Sequence, residues 1–380
     1  MDSNGYSDPY GSFALRIAIG EKDRYQSNDH EKIKELEHFI DRHPNTFIPG
    51  YFSYDRHIFF FVPKILLDIT EKTVIIHAAD PNSVVQKIEE TPIKYQKVNF
   101  QGKIQPCMSR DDYRNAFNAL RKHILRGDIY EVNLCQEFYA ENASLDPFAA
   151  YIELNAISPT PFSCFFKYDD ISLISASPER FLYHNHNTII SQPIKGTAPR
   201  GKTPYEDKAI VEKLKNSPKE QSENIMIVDL VRNDLTASAQ PGTVTVNELL
   251  GVYSFKQVHQ LISTVSCKAK SGIDSTNIIA NTFPPGSMTG APKLRAMELI
   301  GKYEKSKRGI YSGSIGYFEG KGKFDFNVVI RTLIYNTKEN YLSFHVGGAV
   351  TAQSIEEDEY NECLLKASAI RQMLSKNAIT

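Results

Sequence analysis

The chain has no tryptophan, no excess of charge of either sign and no long apolar run. Lys+Arg number 44 against 45 Asp+Glu, for a net charge of −1. That balance gives no global attraction to nucleic acid or to an anionic membrane. The longest apolar runs, such as Ile58–Val62, are far too short to span a bilayer. Met1-Asp-Ser-Asn-Gly5 is not a basic start followed by an apolar stretch, so no secretory signal is expected. The five cysteines, Cys107, Cys135, Cys164, Cys267 and Cys363, are scattered, with no C-x-x-C pair and no Cys/His ligand spacing. They read as reduced, buried thiols of a cytoplasmic protein. The loop Gly286–Gly290 lacks the G-x-x-x-x-G-K-[ST] spacing of a P-loop.

What is present is enough for a sizeable core: 380 residues, 41% hydrophobic, room for two domains or one large unit with two lobes. Periodicity places a helix near Asp29–His43, then strand-like runs at Gly50–Phe61 and Val74–His77. Ser109–Arg126 is a helix with Ser109 as N-cap and Asp111 and Asp112 in its first turn. A strand follows at Ile129–Phe138. Its alternation sets Tyr130, Val132 and Leu134 on one face and Glu131, Asn133 and Cys135 on the other. That second face lines something polar or meets solvent.

Asp146–Ser158 reads as a helix, and Phe162–Tyr168 and Ile171–Ser177 as a strand pair. Helices are expected at Tyr205–Asn216, Lys219–Asp234 and about Pro292–Tyr303, and a strand carrying His259 at Lys256–Cys267. The last third reads as a meander, Gly309–Phe318, Phe324–Tyr335 and Tyr341–Val346, closed by one helix over about Glu356–Ser375. Clustered strands and helices with hairpin connections favour an antiparallel α+β fold over a doubly wound parallel sheet.

The stretch Ser177–Thr197 carries the first chemistry. Ile171–Ser177 and Thr188–Ser191 read as strands joined through the polar turn His184–Asn187. Glu179 and Lys195 then stand near the open ends of one hairpin, as a proton donor and a nucleophile, or as a surface ion pair worth under about 1 kcal/mol. Glu220 with Glu223, and Glu359 with Glu362, are i, i+3 pairs, each on one helix face. Converging, they make an all-oxygen site suited to Mg²⁺; apart, they are favourable charges at helix N-termini. Gly347-Gly348 is a place where backbone N–H groups can meet a carboxylate. Arg331, in an apolar run, needs a partner, internal or ligand.

Taken in order, several segments resemble the chorismate-utilising enzymes, the family of the anthranilate, aminodeoxychorismate, isochorismate and salicylate synthases. They are Gly127–Leu134 (Gly-Asp-Ile-Tyr-Glu-Val-Asn-Leu), Ser177-Pro-Glu-Arg-Phe-Leu182, Pro193-Ile-Lys-Gly-Thr197, Ser222–Asp234, Gly286–Leu299, Tyr311-Ser-Gly-Ser-Ile-Gly-Tyr317 and Glu359–Ala367. They cover about residues 109–372, and Pro49–Asp55 looks like a further family element. The resemblance implies two large, mostly antiparallel β-sheets facing each other with helices outside. It also implies a shortened N-terminal lobe over 1–100 contributing to the sheets and a chorismate-binding catalytic region over 101–380.

It implies Mg²⁺ held through Glu223 and Glu362, with Glu220 and Glu359 direct or through water. Ser287, Lys366, Gly347 and Gly348 would position substrate, and Tyr311 and Arg331 would hold the enolpyruvyl arm. His259 matches a family active-site histidine. Lys195 in the Pro-Ile-x-Gly-Thr motif is typical of members that aminate chorismate at C4, where anthranilate-forming members usually carry alanine. Lys195 would attack C2 while Glu179 protonates the departing C4 hydroxyl, and ammonia would then displace the lysine. A lysine with this task is expected to have a lowered pKa.

Glu131 stands where aminating members often have Gln and water-adding members Lys; its role is open. The Leu-Leu-Glu-Ser element of the tryptophan pocket is missing. No Cys-His-Glu glutaminase triad is apparent, so ammonia is expected from a separate glutamine amidotransferase subunit. The product is then expected to be 4-amino-4-deoxychorismate. The alternatives are an anthranilate-forming enzyme and a non-catalytic chorismate-binding protein.

Overall fold

Side-chain alternation in the strands decides the layering. In Glu131–Ala140, Val132, Leu134 and Phe138 pack into a core shared with the helices Arg110–Arg126, Pro147–Ile157, Lys293–Tyr303 and Ser368–Ser375. Glu131, Asn133 and Cys135 are buried on the opposite face. The polar face expected from the sequence therefore lines the interior of the molecule. The computed structural model describes residues 1–11, 14–92 and 97–375.

Two sheets result, and every strand pairing among the described residues is antiparallel. The larger has eleven strands. Across it run Leu15–Ser27, Ile58–Ile69, Phe47–Phe52, Ser314–Glu319, Lys323–Asn327, Arg180–Asn185, Thr188–Gln192, Val258–Lys268 and Ile194–Pro199. Val74–His77 adds to Ile58–Ile69, and Thr245–Ser254 to Val258–Lys268. The smaller sheet has seven strands, in the order Gly290–Ala291, Glu131–Ala140, Tyr341–Val350, Thr332–Asn336, Ile171–Ser177 and Phe162–Tyr168, with Gln105–Pro106 on Glu131–Ala140.

Helices Ile33–Arg42, Pro218–Thr236 and Ser275–Thr282 share a core with the larger sheet. A third cluster, with Tyr51, Phe59, Ile315 and Val329 against Cys164, Phe166 and Leu173, fills the space between the sheets. The sheets thus face each other with helices outside, an α+β sandwich. The strands of residues 15–77 all belong to the larger sheet.

Local chemistry accounts for the element ends. Ser109 and Asp112 close a reciprocal capping box, and Gly127, at φ 87°, ends that helix in the left-handed region. Asp146 caps Pro147–Ile157 through the N–H groups of Phe148 and Ala149.

Three expectations are corrected. Ile171–Ser177 is not an arm of the Thr188 hairpin: it pairs along its whole length with Phe162–Tyr168 in the smaller sheet. The hairpin partner of Thr188–Gln192 is Arg180–Asn185 in the larger one. The chain changes sheets at Pro178-Glu179. Phe324–Tyr335 is likewise two strands in different sheets, Lys323–Asn327 and Thr332–Asn336, and Arg331 lies in the break with φ 51°. The β-branched run Val328-Val-Ile330 looks like uninterrupted strand, and an arginine gives no sign of a left-handed backbone. The final helix is divided into Glu356–Lys366 and Ser368–Ser375.

Candidate functional site

Both sheet changes open into one cleft. Glu179, from the first, and Ile330 and Arg331, from the second, line a cavity together with Lys195, Thr197, Glu220, Glu223, Gln260, Ser287, Tyr311, His345, Gly347, Glu362 and Lys366. The two crossings are tied: Val328 N–H donates to Glu179 O at 3.0 Å, and Ser177 Oγ donates to Val328 O at 2.6 Å.

A bulge in Ile194–Pro199 aims Lys195. The register against Val258–Lys268 slips between Ile194 and Thr197, and Gly196 takes φ 100°. A Cβ on Gly196 would stand 2.9 Å from Leu261 Cδ1 and 3.1 Å from Glu220 Oε2. Asn224 Nδ2 donates to Lys195 O at 3.0 Å and holds the bulge from the helix behind. The Lys195 amine then meets Glu131: Nζ and Oε1 are 2.8 Å apart, with Glu131 wholly buried. Neither Glu131 oxygen receives a well-aligned hydrogen bond. The short contact is therefore first of all an ion pair, decided by charge and distance.

Electrostatics divide the titratable groups. Burial pushes the Glu179 carboxyl up to about 7, against the Ser287 hydroxyl, the Ile194 N–H and Lys195, which favour its carboxylate. Burial lowers the Arg331 guanidinium to about 10, with Glu179 opposing. His345 is pushed down to about 3 by burial and Arg308, and its ring stacks on Tyr311 at 5.0 Å. It is a neutral imidazole. Lys195 overturns the expectation of a lowered pKa. Burial pulls it down, but Glu131 and Glu223 outweigh burial and hold the ammonium above its ordinary value.

The four glutamates do converge, but unequally. Glu220, Glu223 and Glu362 line the cavity. Glu359 is buried outside the lining and bound by Lys219 at 2.8 Å, while Lys219 also stands 3.9 Å from Glu223. Burial raises Glu223 to about 8, and Glu131 and Glu220 add to that shift. Glu220 is raised by burial and by Glu362. Glu362 is lowered, chiefly by Lys366 at 2.7 Å.

Among the described residues no group of three or more His, Cys, Asp or Glu closes into a metal cage. The set fits magnesium in another way. Its donors are all oxygen, Glu223 Oε1 is buried with no hydrogen-bond donor, and the carboxylates repel one another. Magnesium typically takes one or two carboxylates and completes its shell with water and substrate oxygens.

Besides Glu359, two predicted site residues stand apart from the cavity. His259 is buried with Nε2 2.9 Å from Asp207 Oδ1 and Nδ1 2.8 Å from Ser254 Oγ. Strand alternation turns it away and turns its neighbour Gln260 inward, where Gln260 Oε1 is buried without a partner. Gly348 points from the strand toward the last helices, its Cβ position 3.1 Å from Glu359 Oε2, while Gly347 and Ala349 face the cavity. Gln260 and His345 went unnoticed in the sequence; the parity of their strands, once registered, finds both. Ser287 is fixed by its loop: Asn133 Nδ2 donates to Ser287 O, and Arg308 bonds Met288 O and Asn133 O.

The chorismate binding enzyme family matches residues 9–372. The chain belongs to this family. Over 272 residues it is 40% identical to aminodeoxychorismate synthase component 1 of Escherichia coli K12, covering 72% of this chain and 59% of that protein. Over 267 residues it is 43% identical to the chloroplastic aminodeoxychorismate synthase of Arabidopsis thaliana, covering 70% of this chain and 29% of that protein. The chain thus matches only part of the length of these relatives. Among solved structures, anthranilate synthase component I from Streptococcus pneumoniae TIGR4 superposes with a TM-score of 0.84 at 24% identity, over 97% of this chain and 93% of that one. That likeness concerns the chorismate binding enzyme fold.

Proposed function

We propose that this chorismate binding enzyme is an aminodeoxychorismate synthase component I, converting chorismate and ammonia to 4-amino-4-deoxychorismate, the precursor of 4-aminobenzoate and folate. One observation carries the reading: Lys195 is aimed by its bulge into the same cavity as Glu179. A nucleophile and an acid on one cavity suit substitution at C4 with retention, which needs two displacements. The names of the relatives support the same reading.

Lys195 Nζ attacks C2 of the substrate, the ring double bonds shift, and the C4 hydroxyl leaves with a proton from Glu179. Ammonia then attacks C4 and expels the lysine, and Glu179 takes the surplus proton from the new amine. Arg331 and Tyr311, on the cavity, would hold the enolpyruvyl carboxylate, and Lys366 and the Gly347 backbone would meet the second carboxylate. Glu223 and Glu362 would hold magnesium, with Glu220 beside them; bound there, the ion supplies charge for the ring carboxylate.

Ammonia would come from glutamine through a separate amidotransferase subunit, consistent with the component name of the E. coli relative. No helix among the described residues is long and apolar enough to cross a membrane. Five free cysteines suit a reducing, cytoplasmic setting. The test is incubation with chorismate, Mg²⁺ and ammonium, with products resolved by chromatography and mass. An aminated chorismate that keeps its enolpyruvyl group, and that a pyridoxal phosphate lyase converts to 4-aminobenzoate, is the expected product. Anthranilate with released pyruvate would overturn the reading.

A further inference from the structure

We propose that Glu131 is the base that frees Lys195 for attack, taking its proton across their contact and returning it when the amine is expelled. The inference rests on the reaction proposed above and adds a residue to it. Among the described residues, Glu131 is the carboxylate in ion-pair contact with Nζ, at 2.8 Å; Glu179, on the same cavity, makes no such pair. The two carboxylates therefore divide the work, Glu179 at the C4 oxygen and Glu131 at the lysine nitrogen.

Glu131 is held in place by its backbone. It opens the strand Glu131–Ala140, faces Ala291 in register, and a Cβ on Gly290 would lie only 2.2 Å from its carbonyl oxygen. Its side chain is wholly buried, neither oxygen has an aligned hydrogen-bond donor, and the Lys195 ammonium faces it as a charge. Passing one proton between atoms 2.8 Å apart replaces two buried charges by two neutral groups, which removes the desolvation cost of the pair. It also leaves a free amine at the start of the reaction.

The step balances. One N–H bond of Lys195 breaks and an O–H bond forms on Glu131, while the nitrogen lone pair bonds C2. The electrons of C1=C2 and C5=C6 move to C1=C6 and C4=C5, and the C4–O bond breaks with the proton from Glu179. When ammonia bonds C4, those shifts reverse, the N–C2 bond breaks, and Lys195 recovers its proton from Glu131.

The experiment compares wild type, Glu131→Gln and Glu131→Asp, each checked for folding by circular dichroism. Enzyme is mixed with chorismate and Mg²⁺, ammonium withheld, then quenched and weighed intact for a lysine adduct of chorismate less one water. For wild type, adduct formation should follow the Glu179 acid alone, falling as pH rises through about 7. For E131Q it should drop about 10²-fold or more at neutrality, and the ratio of its rate to that of wild type should climb about tenfold per pH unit between about pH 7 and 9, as for an amine that must lose its proton to water. E131D, which keeps the carboxylate, should be slower than wild type but keep the wild-type profile. A ratio of E131Q to wild type that stays constant across pH and within about threefold of one would overturn the inference.

A second measurement needs no substrate: competitive acetylation of Lys195 by acetic anhydride across pH, read by peptide mass. Removing the anion in E131Q should move the labelling midpoint to lower pH. An unmoved midpoint would show that the two groups are uncoupled and would also overturn the inference. Absence of both adduct and aminated product in wild type would instead count against the proposed reaction, and the acetylation result would still decide whether Glu131 governs the lysine.

Discussion

Gly347→Ala should damage the fold at the wall of the cavity. Gly347 lies directly across from Cys135 in the pairing of Tyr341–Val350 with Glu131–Ala140. A methyl group there would stand 2.3 Å from Cys135 Sγ and 2.7 Å from Leu134 O. The first neighbour is a side-chain tip, but the second is backbone in the middle of a sheet and cannot swing aside. Overpacking of this kind costs about 1–3 kcal/mol, a sizeable part of the roughly 5–15 kcal/mol that holds a typical domain together. Urea unfolding should show the loss as a lower midpoint at constant slope. Cys135→Ala removes the sulfur and leaves the carbonyl contact. In that background the penalty of G347A should shrink by about 1 kcal/mol without vanishing, a coupling expected of touching residues. A G347A protein within about 0.5 kcal/mol of wild type, or a penalty unchanged by C135A, would refute the steric argument.

Other outcomes follow from the same site. With burial holding the Glu179 carboxyl at about 7, the acid form prevails below that pH, so turnover should fall as pH rises through it; E179Q should lose about 10²–10⁴-fold in rate together with that limb, and a wild-type pH–rate profile with no alkaline limb near 7 would contradict this. Lys195→Ala should abolish the covalent adduct and C4 amination, read by intact mass and product chromatography; a K195A enzyme that still aminates C4 would remove the lysine from the reaction. Because burial raises Glu223 to about 8, a proton competes with magnesium for it, so binding by calorimetry should tighten as pH rises from about 6 to 9. Glu223→Gln should weaken binding and flatten that dependence; unchanged affinity in E223Q would exclude this carboxylate as a ligand.

Legibility in the sequence followed locality. The capped helix Arg110–Arg126 and the hairpin Phe162–Tyr168/Ile171–Ser177 carry their signals within a few residues, and both are plain. Motif order assigns thirteen residues to one site; the structure places Glu179, Lys195, Glu220, Glu223, Ser287, Tyr311, Arg331, Gly347, Glu362 and Lys366 on the cavity and leaves His259, Gly348 and Glu359 outside its lining. What could not be read was anything set by strand partners distant in sequence. Leu15–Ser27 and Thr245–Ser254 are half-exposed strands with weak alternation, defined by Ile58–Ile69 and Val258–Lys268. The choice between His259 and Gln260 depends on a single step of strand parity, which fixes one face only when the neighbouring strands are known. The raised Lys195 pKa is hidden from the sequence for a similar reason: Glu131 lies 64 positions away in the chain, on the opposite sheet.

The two sheet changes have a mechanical consequence. Glu179 and Arg331 each sit on a short span whose ends are anchored in different sheets, and a hydrogen bond from Val328 to Glu179 O ties the spans together. Such residues report the gap between the sheets: widen it and both move, relative to Lys195 on the larger sheet and Gly347 on the smaller. The thickness of the sandwich is therefore the gauge that sets the reacting distances, and the spacers are the aromatic and aliphatic side chains of the inter-sheet cluster, Tyr51, Phe59, Phe166 and Leu173, none of which touches the cavity. Trimming one of them would detune the chemistry from a distance, through geometry alone.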